Sequence, residues 1–151
     1  AARVVRKDYD YAFEEEKYRG APDIRLHEID VARPLEIAGE RIVPVSGHPS
    51  ERFEVTGSRI GRMAYLTDFK TIADAEVGKL IGVELLVVNA LRFRPHPSHF
   101  NVEEALALIA RVAPRRALIT HVSHEIGRHA ATTALLPRGV ELAYDGLEII
   151  I

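Results

Sequence analysis

Two short apolar runs, Leu85-Leu86-Val87-Val88 and Ala117-Leu118-Ile119, constrain this chain more than any other feature. Neither alternates between apolar and polar residues, so each reads as a strand buried on both faces, as in a parallel sheet covered by helices. Between them lies a helix with clear punctuation. Asn101 is followed three residues later by Glu104, an N-terminal capping pair, and Pro114 closes the segment. Ala105, Leu108, Ile109 and Val112 fall on one face at helical spacing, which the strands can cover. This strand–helix–strand order predicts an α/β fold.

The preceding segments read differently. Tyr9 to Tyr18, with Glu14-Glu15-Glu16, predicts a short solvated helix. Alternating runs at Arg25–Ile29, Leu35–Ile37 and Arg41–Val45 predict strands. Arg52–Val55 and Met63–Leu66 predict a hairpin across the glycine-bearing segment Gly57–Gly61. A helix is expected over Ile72–Leu80 and another over Glu125–Leu135. Val140–Leu142 and Leu147–Ile150 predict a closing hairpin at Asp145-Gly146. The sheet is therefore expected to be mixed, with flanking helices.

Composition narrows the function. The chain of 151 residues is 47 % hydrophobic and 28 % charged, a balance that builds a core in one domain. Its net charge of −2 gives no general attraction for phosphate backbones, which argues against nucleic acid as partner. The longest apolar stretch, Leu80 to Leu91, is broken by Glu84 and Asn89 and is too short to span a bilayer. Cysteine is absent, which excludes disulfides, thiolate metal sites and a cysteine nucleophile. That absence, with an opening Ala1-Ala2-Arg3 unlike a secretory signal, fits a cytoplasmic expectation.

Three candidate ligands stand at strand ends. His48 follows Ile42–Val45, Asp68 follows Ala64–Thr67, and His121 follows Ala117–Thr120. Strand ends are where α/β proteins build sites, and two imidazoles with a carboxylate suit a borderline divalent ion such as zinc. Each can equally be a polar residue that merely ends a strand. His99 is the second candidate, in the proline-stiffened loop Arg92–Phe100 just before the capped helix. A histidine there can bind a phosphoryl oxygen or protonate a leaving alkoxide, or it can simply cap the helix or pack on Phe100. His96 reads as a rim residue, His124 and His129 as surface or capping residues, and His27 as structural. Arg92, Arg94, Arg115 and Arg116 can form a phosphate-attracting rim or a solvated face.

Four segments in order carry a resemblance: Tyr65-Leu66-Thr67-Asp68 with Lys70-Thr71-Ile72, Pro95-His96-Pro97-Ser98-His99-Phe100, Leu118-Ile119-Thr120-His121-Val122-Ser123-His124, and Leu142-Ala143-Tyr144-Asp145-Gly146. Together they resemble the C-terminal half of a metallo-β-lactamase-fold hydrolase of the PhnP type, the phosphoribosyl cyclic phosphodiesterases. The resemblance implies half of an αββα sandwich and a metal-dependent phosphodiesterase with two divalent ions, zinc or manganese. It implies Asp68 as a carboxylate bridging the ions, His48 and His121 as ligands to one ion each, and His99 at the scissile phosphate or its leaving oxygen. The family's His-x-His-x-Asp-His cluster has no counterpart in residues 1–151, and Gly47-His48-Pro49 inverts the expected His-Gly order. The resemblance thus implies a partial domain of low activity, whose buried strands expose apolar surface to the missing half or to a second copy. The alternatives are a non-catalytic interaction module of the same fold and a relative of the tRNase Z nucleases.

Overall fold

The computed structural model describes every residue except Ala1, Glu15, Lys17, Glu51 and Arg52. The chain divides into two compact units, Ala1–Asp30 and Val31–Ile151. In the first, helix α1 spans Ala2–Asp8 and a single 3-10 turn follows at Asp10–Ala12. The helix thus precedes the expected Tyr9–Tyr18 segment, of which Glu15 and Lys17 lie outside the described residues. Arg6 and Lys7 sit in the last turn of α1, where cations favour the helix dipole, and the Arg6 guanidinium lies over the Phe13 ring at 5.1 Å. Arg25–Ile29 forms no strand, because alternation alone supplies no partner for its backbone.

The second unit holds one seven-stranded sheet in sequential order: β1 (Leu35–Ile37), β2 (Glu40–Ser50), β3 (Phe53–Ile60), β4 (Met63–Leu66), β5 (Leu85–Asn89), β6 (Arg116–Thr120) and β7 (Val140–Leu142). Pairing is antiparallel from β1 through β4 and parallel from β4 through β7. The expected mixed sheet is therefore present. Strand β3 continues through Gly57 to Ile60, so the turn to β4 is only Gly61-Arg62, with Gly61 at φ +54°. Arg52, placed in the expected hairpin arm, lies outside the described residues.

Helix α2 (Asp74–Gly78) is shorter than expected, whereas α3 (Val102–Val112) carries the full capping box. The Asn101 side chain accepts from the Glu104 N–H at 2.8 Å, and Glu104 accepts from the Asn101 N–H at 2.9 Å. The expected 125–135 helix is broken into a 3-10 turn, His124–Ile126, and α4 (His129–Thr133), because Gly127 at φ +95° interrupts it. Leu66, Leu86, Val88 and Ile119 meet α3 residues Ala105, Leu108 and Ile109 in the main core.

The closing hairpin is replaced by a different packing. Leu147 and Ile149 form no strand and instead pack with Met63 and Ala143 on Leu85, Val87 and Leu118. Those three sheet residues are 4 %, 8 % and 3 % exposed. The expectation that β5 and β6 expose an apolar face is therefore corrected: burying that surface is worth about 25 cal/mol per Å², so the C-terminal segment folds over it.

Candidate metal centre

Strands β4, β5 and β6 are parallel, so their carboxyl ends share one edge, and three polar side chains gather there. Asp68 follows β4, His121 follows β6 directly, and His99 lies in the loop between β5 and α3. The group's donor atoms lie within 4.8 Å of one another. Asp68 Oδ1 is 3.3 Å from His121 Nε2 and 3.7 Å from His99 Nδ1. Asp68 and His121 both adopt left-handed backbone, at φ +64° and +55°, an uncommon conformation for residues other than glycine.

The arrangement fits a divalent cation. Donors held at 2.0–2.2 Å around a tetrahedral ion stand about 3.4 Å apart, which the observed separations bracket. His99 Nδ1 is buried and has no hydrogen-bond partner, an orphan that a cation satisfies. Burial, and then the neighbouring His121, push the His99 imidazole below its ordinary pKa, the Asp68 carboxylate only partly opposing this. A neutral imidazole is the form that binds metal. Two histidines and one carboxylate also leave coordination positions open.

His48 is not brought into this group. Its strand β2 runs on to Ser50, so the residue lies within the strand, beside a register shift between Gly47 and Ser50. Its backbone N–H donates to the Thr71 carbonyl at 3.0 Å, and its own carbonyl accepts from Lys70 and Thr71. The exposed ring instead places Nδ1 3.3 Å from the Phe53 carbonyl. The His96 ring stacks on His99 at 5.1 Å between centroids, and the His99 ring stands 4.8 Å from His121.

The arginines do not form one rim. Arg92 and Arg94 both donate to Glu125, whose carboxyl they hold below the usual range. Arg116 pairs with Glu141 at 3.0 Å, at the opposite end of β6.

Sequence reasoning missed what holds the Asp68 loop. Phe69 is fully buried, and a Cβ at Gly47 would lie 2.1 Å from its ring. The Asn89 side chain grips the Phe69 backbone from the end of β5, accepting from its N–H and donating to its carbonyl, each at 2.9 Å. The signal was a lone amide in an otherwise aliphatic strand.

A family model described as a beta-lactamase superfamily domain matches residues 1–122. A curated protein named octanoyltransferase, from Porphyromonas gingivalis (strain ATCC BAA-308 / W83), is 34 % identical over 148 residues, covering 97 % of this chain and 30 % of that protein. A crystal structure of a new diphosphatase from the PhnP family superposes with TM-score 0.87 at 31 % identity, over 99 % of this chain and 55 % of that one. The metallo-beta-lactamase fold protein YhfI from Bacillus subtilis shares the fold at TM-score 0.67 and 15 % identity, over 93 % of this chain and 59 % of that one. The short form of human tRNase Z does so at TM-score 0.56 and 18 % identity, over 75 % and 44 %. The chain thus spans about a third of the curated relative and about half of the PhnP-family structure. With the family model matched over most of its length, the chain belongs to the beta-lactamase superfamily, has the metallo-β-lactamase fold, and is similar to a PhnP-family protein.

Proposed function

We propose that this chain supplies one wall of a metal-dependent hydrolase acting on small phosphodiesters. The observation that carries the reading is the convergence of Asp68, His99 and His121, with the buried His99 Nδ1 otherwise unpartnered. Asp68 and the two imidazoles would hold a divalent ion, zinc or manganese, and His48, tethered to Thr71, is the candidate ligand for a second. When bound, such ions supply hydroxide near neutral pH and neutralise developing phosphoryl charge.

The chain's own residues do the positioning. Asp68 sets its carboxylate 3.3 Å from His121 Nε2 and 3.7 Å from His99 Nδ1, so that the three donors face one another. His99, kept neutral by burial, is in the form that offers a lone pair to a cation; not engaged so and protonated, it would be a group able to give a proton to a departing oxygen. His96, stacked on His99, fixes that ring's plane. The similarity to a PhnP-family diphosphatase supports phosphorus as the reaction centre. Octanoyl transfer is named for a protein of which this chain covers 30 %.

The proposal extends to a partial domain acting on a small substrate, its three-donor group completed by association with a further segment. Metal analysis and hydrolysis of bis(p-nitrophenyl) phosphate test this in the protein carrying the completing segment. Metal-dependent turnover lost in Asp68→Ala is expected; metal-independent turnover that survives Asp68→Ala refutes the reading. Stoichiometric metal without turnover of phosphodiester or diphosphate would favour a binding module.

A further inference from the structure

Asn89 is fully buried at the end of β5, where Leu85, Leu86, Val87 and Val88 precede it. Burying an amide is costly unless its bonds are made, and an aliphatic residue would fill a strand position without that demand. Its side-chain bonds go to neither neighbouring strand but to the Phe69 backbone, one residue past Asp68. The same Phe69 carbonyl accepts from the Phe100 N–H at 2.8 Å, one residue past His99. Asn89 also pairs in the parallel ladder with Thr120, one residue before His121, and the next N–H, of Ala90, donates to the Thr120 carbonyl at 3.1 Å. Asn89 is therefore bonded to the chain neighbour of Asp68, and that bonded peptide and the β5–β6 ladder connect it to the neighbours of His99 and His121.

We propose that Asn89 is a positioning residue: its amide, through the Phe69 peptide, sets the separations among Asp68, His99 and His121. Their service as cation ligands rests on the function proposed above, whereas their mutual placement does not. The left-handed turn at Asp68 needs such an anchor, because that backbone relaxes when its surroundings permit. Phe69 supplies the lever, its ring wedged against Gly47 and its peptide fixed by Asn89.

The test compares Asn89→Leu with Leu86→Ala, a truncation of a fully buried side chain three residues earlier in the same strand. In the metal-free chain, ring-to-ring nuclear Overhauser contacts between His99 and His121 report the geometry. They are expected in the wild type and in Leu86→Ala, and lost in Asn89→Leu. Zinc affinity should fall by about 10-fold or more in Asn89→Leu, the range for groups behind metal ligands, while Leu86→Ala stays within about twofold. Retained ring contacts with unchanged zinc affinity in Asn89→Leu overturn the proposal. So does an equal change in Leu86→Ala, which would mark general loosening. Should Asn89→Leu not fold, Asn89→Asp keeps the acceptor for the Phe69 N–H and loses the amide donor; weakened ring contacts support the proposal and wild-type contacts overturn it. A wild-type protein that binds no zinc even with the completing segment refutes the metal reading, and the ring contacts still decide the role of Asn89.

Discussion

Replacing Gly47 by alanine adds one methyl group at a place where the structure leaves none. The new Cβ would stand 2.1 Å from Phe69 Cε1 and 2.2 Å from Cδ1. Gly47 does not require a positive φ, so alanine meets no backbone penalty and the effect is purely steric. The ring has little room to retreat, since Phe69 is fully buried and Asn89 holds its backbone. Overpacking costs about 1–3 kcal/mol, and a ring boxed this way belongs at the upper end, about 3 kcal/mol. For a chain of this size that lowers Tm by roughly 10 °C. Denaturant unfolding with a constant m-value measures it. The pair with Phe69→Leu sharpens the result. That change alone should cost about 1–2 kcal/mol, less than a truncation to alanine, and the double variant should be at least about 1 kcal/mol more stable than the sum of the two losses. A Gly47→Ala chain within about 0.5 kcal/mol of wild type, or a strictly additive double variant, would refute this account of the wedge.

Two further outcomes concern the site. Asp68→Ala should weaken zinc binding by more than about 100-fold, beyond the loss typical of groups behind the ligands, as isothermal titration would show; a loss under about 10-fold would remove Asp68 from the ligand set. Because His99 titrates below its ordinary value of 6.5, the unfolded chain takes up a proton first as pH falls, so the folded state loses stability from about pH 6.5 downward through the folded pKa. His99→Gln should flatten that stretch of the stability–pH curve, and an unchanged slope would show that the imidazole is not desolvated.

The parts of the fold that were legible are those written in local patterns. The all-apolar β5 and β6 and the capped α3 announce themselves within a dozen residues, and their order implies the parallel half of the sheet. Asp68 and His121 were visible as the first ionisable groups past apolar strands. The placement of His99 beside them was not, because it depends on how a nine-residue loop folds back through the Phe100–Phe69 bond. The position of His48 inside β2 was not legible either, because pairing with β3 carries that strand past its apparent end to Ser50. The C-terminal segment misled because strand-like alternation suits a coil laid over a sheet face as well as a paired strand. Asn89, Gly47 and Phe69 matter only through one another, and no local window shows that.

Both margins of the sheet, Leu35–Ile37 and Val140–Leu142, are only three residues long. An incoming strand finds too few free amides and carbonyls there to build a lasting ladder, so cross-strand stacking of many copies has poor footing at either side. Encounters between molecules are thereby steered away from the rims and toward side-chain surfaces, where shape and charge can discriminate one partner from another.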